Sequence, residues 1–202
     1  MKNIAIIPIL LLCSLFSNAQ NRVEEKIFPT QKFDAEAARI GLAKGTTTLK
    51  GKAITKATPG KSKQWVIGAP SLIGINVTVE LFPYTPYFDE WYNLKKKKEN
   101  LRKNKIVYMD TEAYKYKLTA VTNEKGVFEF PNMKPGKYIL FTIIPWKEGV
   151  SKRYYNGSQF DGNSGRMVNY YTDENYTIQQ HSRVMRIIEI EEGKSEVTQH
   201  LR

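Results

Sequence analysis

Apolar and polar positions alternate most clearly between Thr119 and Leu140. Phe128 and Phe130 fall on one side of a short extended run, and Val127 and Glu129 fall on the other. After a break, Tyr138 and Leu140 alternate with Lys137 and Ile139. Asn123-Glu124-Lys125-Gly126 and Asn132-Met133-Lys134-Pro135-Gly136 read as the tight turns between three strands. Gly126 and Gly136 can take positive φ, and Pro135 has no N–H to give a ladder. The same alternation predicts strands over 46–57, 72–82, 106–109 and 114–121. A further strand covers 141–144 and stops at Pro145, and 183–202 reads as a terminal hairpin turning at Glu191-Glu192-Gly193-Lys194.

Two stretches depart from this period. Residues 20–45 read as a loose arm with a short alanine-rich helix over 33–43. Residues 83–113 carry a longer amphipathic helix of about sixteen to twenty residues, in the usual range for a globular helix. Thr85 is its N-cap, Pro86 its first residue, and Asp89 and Glu90 lie in its first turn. Phe88, Trp91, Tyr92 and Leu94 give it an apolar face, with Leu101 further on, and Lys95, Lys96, Lys97 and Lys98 make its end basic. Two readings stand: aromatics packed on a sheet with lysines in water, or peripheral contact with an anionic surface through the lysines.

Residues 146–182 show neither period and read as one long polar and aromatic loop. Tyr, Asn, Ser and Gly cluster there, the composition of a recognition surface. Trp146, Tyr154, Tyr155 and Tyr171 are candidate sugar-stacking platforms, and the alternative is aromatic cover for a sheet.

The segment Thr122 to Tyr138 resembles the signature of carboxypeptidase regulatory-like domains, which are transthyretin-like (prealbumin-like) sandwiches related to Cna-B modules. Thr122, Gly126, Phe128, Phe130, Met133, Pro135, Gly136 and Tyr138 carry the match. Leu49-Lys50-Gly51-Lys52-Ala53-Ile54, residues 75–81 and residues 186–194 are similar to other strands of that family. The resemblance implies an all-β fold: a transthyretin-like antiparallel Greek-key β-sandwich over 46–202, with the helix inserted at 83–113. It implies no peptidase, because it matches an accessory module. Some Cna-B modules form a Lys–Asn isopeptide bond assisted by an acidic residue. Here no acid follows Tyr138 until Glu148, so that bond is not expected.

The N-terminus changes the setting. Lys2, the apolar run Ile4–Phe16 and Ser17-Asn18-Ala19 make residues 1–19 a signal peptide, and the Asn-Ala-Gln exit resembles those of Bacteroidota. Export to the periplasm, the cell surface or the medium follows. Lipidation at Cys13 is the alternative, disfavoured by the large Leu12 before it. Cys13 is the only cysteine, so the mature chain can form no disulfide. The formal net charge is +11. Loss of residues 1–19 removes Lys2 alone. An exported chain makes nucleic acid a poor candidate partner, and a protein or glycan of the cell envelope a better one.

No catalytic constellation is present. His181 and His200 are the only histidines and lack nearby ligand motifs. Intradiol dioxygenases share a related sandwich but need a close histidine pair. Asp161-Gly162-Asn163-Ser164-Gly165 is oxygen-rich yet lacks EF-hand spacing. The sequence therefore predicts a non-catalytic binding or structural module without a cofactor. The alternatives are a glycan-binding surface module and a metal-dependent enzyme.

Overall fold

The computed structural model describes residues 23–57 and 71–201, so the signal peptide, Cys13 and all but the last residue of the loop expected over 58–71 lie outside the described residues. The chain forms β1 (Glu25–Ile27), α1 (Ala35–Gly41), β2 (Thr47–Lys56), β3 (Ser71–Ile73), β4 (Thr78–Pro83) and α2 (Pro86–Lys97). There follow β5 (Lys105–Val107), β6 (Leu118–Val121), β7 (Val127–Met133), β8 (Gly136–Asp161), β9 (Arg166–Ile190) and β10 (Glu196–Leu201).

Two four-stranded sheets share one core. In the first, β2 pairs antiparallel with β7 and β3 and parallel with β10. The second has the order β6-β4-β8-β9 and is antiparallel throughout. Leu49, Phe128, Phe130 and Leu201 from the first sheet meet Val79, Leu81, Tyr138, Leu140 and Ile188 from the second. Each such side chain contributes about 1.5–3 kcal/mol on burial. The alternation read at Phe128 and Phe130 is present, and both rings are buried.

The turns behave as their residues require. Gly126 has φ 73° and Gly136 φ 146°. Asn123 closes the first turn by accepting from the N–H groups of Lys125 and Val127 at 2.9 and 3.0 Å. Thr122 is buried and clamps the sheet by accepting from Val77 N at 2.9 Å. The Tyr138 hydroxyl donates to the Lys134 carbonyl at 2.7 Å, which fastens the second turn. Burial pushes its phenol pKa up.

The second sheet is covered on its other face as well. Phe82 and Ile139 are buried there against Tyr87, Phe88, Trp91 and Tyr92 of α2. The helix thus packs its aromatics on the sandwich. It ends at Lys97, short of the expected length, because Asn100 starts a 3-10 turn over Leu101–Lys103 and leaves Leu101 exposed. The N-terminal arm is not loose. β1 pairs with β5, and Glu90 accepts from Thr30 N, Thr30 Oγ1 and Gln31 N at 2.7–2.9 Å. Phe33 packs on Tyr87, Phe88 and Tyr116.

Four expectations are corrected. Residues 146–182 are not a loop: β8 and β9 continue through them as a paired hairpin, from Pro145↔His181 out to Asp161↔Arg166. Pro145 does not end its strand. Among the described residues no strand other than β9 borders β8 there, so proline's missing N–H breaks no ladder on the open edge. Residues 183–202 are not a hairpin either. The Glu191–Lys194 turn hands β10 across to the free edge of β2, where Leu201 reaches the core. The strand expected over 114–121 is also shorter, since Ala113–Lys115 is a 3-10 turn.

Gly51 marks the tightest approach between neighbouring strands of the first sheet. A Cβ there would stand 2.2 Å from Phe128 Cζ and 2.4 Å from the Gln199 carbonyl oxygen. Gly51→Ala should therefore cost about 1–3 kcal/mol, the range for overpacking. Urea unfolding reads the loss, and a variant as stable as the parent would refute this packing.

Candidate functional site

The most exposed part of the molecule is the distal β8–β9 ribbon. Its last link to another strand is Thr142, paired with Val79. From Ile143 to Asp161 the only ladder partner among the described residues is β9. Nineteen residues at about 3.3 Å each give it a length of roughly 60 Å. A two-stranded ribbon without a core is marginal in water, so cross-strand side-chain pairs must hold it. Arg153 donates to Asp173 twice, at 2.7 and 2.8 Å, across a register of directly opposed residues. That contact holds the Asp173 carboxyl below its ordinary range and raises Arg153. Lys152 lies opposite Glu174 and Tyr155 opposite Tyr171. Asn156 is the extra residue of a bulge and donates to Thr172 Oγ1.

This register sorts the candidate platforms. Tyr155 and Tyr171 share one face, their ring centroids 5.7 Å apart and tilted by 60°. They are 59% and 52% exposed. The Arg153 guanidinium lies 5.8 Å from the Tyr171 centroid. By the period of the ladder, Ser151 and Asn175 lie on the same face. Tyr154 points to the opposite face, with the Lys152 ammonium 4.6 Å from its ring centre. Trp146 is far from all three, nine residues or about 30 Å from Tyr155. It is half-buried at the ribbon root, where its indole N–H donates to Ser182 Oγ at 3.0 Å. Beside it, buried Glu148 accepts from Gln180 Nε2 at 2.8 Å. The four residues are therefore one pair and two separate side chains. Arg153 and Asp173 were absent from the candidates, although their opposite charges stand at nearly equal distances from the Asp161–Gly165 turn.

The ribbon tip is a closed turn. Asp161 accepts from Asn163 N at 3.0 Å and from Ser164 Oγ at 2.6 Å. These bonds, the Ser164 hydroxyl first, hold its carboxyl low. A hollow of about 430 Å³ opens beside it between Gln159, Asn163 and Tyr170.

The lysines of α2 sit elsewhere. Lys95 is largely covered, bonded to Glu99 at 2.9 Å with its ammonium over Trp91 and Phe141. Lys96, Lys97 and Lys98 are exposed. The adjoining cavity of about 290 Å³ holds Lys95, Lys96, Glu99 and Arg183, with Glu99 joining Lys95 and Arg183. The aromatic residues of the helix are buried, so they are not offered to a membrane interface. His181 and His200 stand on different sheets. Among the described residues no three His, Cys, Asp or Glu side chains form a group that could hold a metal ion.

A scan against protein-family models and a search of curated proteins find no match. Among solved structures, the chain is similar to a Pseudomonas aeruginosa protein provisionally described as carbohydrate binding. The identity is 18% and the TM-score 0.52, covering 85% of this chain and 97% of that chain. At this identity the likeness shows the fold alone.

The cores end at Ile144 and Val184, so the distal ribbon should be dispensable for folding. Glu148 and Ile178 are directly opposed, and joining them through Asn-Gly gives a two-residue hairpin. This shortened protein should unfold with a midpoint within a few degrees of the parent, a small shift on the usual scale. Thermal denaturation checks it, and loss of cooperative unfolding would show that the ribbon belongs to the core.

Proposed function

We propose that this chain is an exported, non-catalytic β-sandwich module of the cell envelope that binds a neutral glycan on the Tyr155–Tyr171 face of its ribbon. The single observation that carries the reading is two exposed tyrosines held side by side on a framework that needs neither ring for its core. Sugar rings stack their C–H faces on such aromatics. Arg153, Asp173, Ser151 and Asn175 on the same face supply donors and acceptors for hydroxyls.

Charge supports a neutral ligand. Residues 146–182 hold Lys147, Lys152, Arg153 and Arg166 against Glu148, Asp161, Asp173 and Glu174. The ribbon is therefore uncharged overall, while the whole chain carries +11. An anionic polymer would be drawn to the body and not to the ribbon. The carbohydrate binding ascribed to the similar Pseudomonas aeruginosa protein agrees with carbohydrate as the ligand class. Export rests on the pattern of residues 1–19, and membership among carboxypeptidase regulatory-like domains rests on the Thr122–Tyr138 signature.

A glycan array tests the ligand. The protein should bind neutral glycans, and Tyr155→Ala or Tyr171→Ala should each weaken binding at least about tenfold, or ~1.4 kcal/mol. Tyr154→Ala, on the other face, should bind as the parent does. Absence of glycan binding, or equal binding by all three variants, would refute the site. N-terminal sequencing of exported protein should begin at Gln20, and a chain retaining Met1 in the cytoplasm would refute the export reading.

A further inference from the structure

The two edges of the ribbon are built differently. The β8 side carries Pro145, Gly149, Gly157, Lys147 and Lys152 and bulges at Asn156. These are the devices by which natural strands block unwanted pairing. The β9 side has none of them. From Met167 to Gln180 it contains no proline, glycine, lysine or arginine, and it is rich in Tyr, Thr, Val and Ile. β9 is the last strand of its sheet, and no other described strand covers its outer edge. Such an edge is a template for one more strand.

We propose that a second copy of this chain supplies that strand, β9 pairing antiparallel with its counterpart about a two-fold axis at Tyr170. A two-fold axis perpendicular to the sheet sets each residue opposite the one equally far beyond the centre. Centred on Tyr170, it opposes Arg166 to the partner copy's Glu174 twice, and it stacks two Tyr170 rings across the strands. Asp173 meets Met167, so no like charges are opposed. Asp173 is already bound to Arg153, whereas Glu174 has only the longer-range attraction of Lys152 opposite it and can meet Arg166. Perpendicular arrangements that oppose an acid to an arginine also exist nearer the body, Glu174 against Arg186 about Gln180 among them; the outermost sets Asp173 against Arg183 and centres on Ile178.

Long-range charge chooses between the two centres. With the axis at Tyr170, the Arg183 positions of the two copies are twenty-six residues apart, or about 86 Å. With the axis at Ile178 they are ten residues apart, or about 33 Å. The charge excess lies wholly in the bodies, because the ribbon is neutral. Ribbon-to-ribbon contact keeps those bodies many Debye lengths apart, about 10 Å each at ordinary salt. A body-to-body dimer would press like charges together. The interface is isologous and closed, so it stops at two copies. It also keeps the same faces up, so the Tyr155–Tyr171 pairs of both copies lie on one side of a four-stranded sheet, flanking the axis.

Sedimentation of the ligand-free protein tests this without any glycan, so its result is independent of the ligand reading. A dimer is expected, dissociating at high dilution. Arg166→Glu should weaken it at least about tenfold by opposing two acids twice. Arg166→Glu together with Glu174→Arg should restore it. In a Cys13→Ser background, Tyr170→Cys should form an interchain disulfide on mild oxidation, and Thr172→Cys should not. Circular dichroism confirms that each variant is folded. A monomer at every concentration, no rescue by the double reversal, or equal cross-linking at positions 170 and 172 would overturn the proposal.

Discussion

The whole arrangement depends on β8 being apolar on both faces at its start. Tyr138 and Leu140 enter the core between the two sheets, while Ile139 enters the core beneath α2. A strand of this kind cannot sit at a sheet surface, because either face left in water would forfeit about 1.5–3 kcal/mol per large side chain. It therefore requires three layers. The insertion at 83–113 is the third layer, and Phe82 on the neighbouring strand needs it equally. The arm that precedes the sandwich is held for the same reason, since Phe33 completes the aromatic cluster and Glu90 ties Thr30 and Gln31 over it. Removing the helix would not expose a solvated sheet face; it would expose an aromatic one.

The sequence made some of this legible and hid the rest, for identifiable reasons. The turns at Gly126 and Gly136 were readable because a positive φ leaves a mark in residue type. Phe128 and Phe130 were readable because one face of β7 is buried and the other is not. Thr85-Pro86 marked the helix start for the same kind of local reason, although the Thr85 hydroxyl makes no capping bond and is buried without a partner. The ribbon was hidden because neither face is buried beyond Val150, and the covered positions nearer the root include the polar Glu148, Gln180 and Ser182. A strand with water on both sides has no period-two hydrophobic signal, and Gly149, Gly157 and Pro145 then read as loop residues. What defines it is long-range pairing: Arg153 with Asp173, Tyr155 with Tyr171. The first pair is twenty positions apart and the second sixteen, so each is visible only when both strands are read together. The destination of β10 was hidden likewise, because the Glu191–Lys194 turn looks the same whether the next strand folds back or crosses to β2.

The candidate site follows the same division. Tyrosine enrichment was visible, but the grouping of tyrosines was not, because grouping is a property of register. Adjacent Tyr154 and Tyr155 look like one feature in the chain and belong to opposite faces in the strand. Tyr155 and Tyr171, sixteen residues apart, form the actual pair. Trp146 looked like a platform by residue type, yet its indole N–H is spent on Ser182 and it anchors the root.

Stability and recognition are then in tension along a single strand. Where β8 is buried, its residues are chosen by packing, and substitution is costly. Beyond the root residues Trp146, Glu148 and Val150 its side chains are exposed, so cross-strand pairs worth only about 0.2–1 kcal/mol each must hold the ribbon. Electroneutrality is part of that solution, since the four cations of the ribbon match its four anions, with Arg153 bound directly to Asp173, and the excess charge stays on the body. The same neutrality removes the repulsion that otherwise keeps copies of so basic a chain apart. An exposed, neutral, tyrosine-bearing ribbon is thus weakly ordered alone and gains order from whatever it meets. On the proposed reading, its binding energy and its folding energy are drawn from the same few side chains.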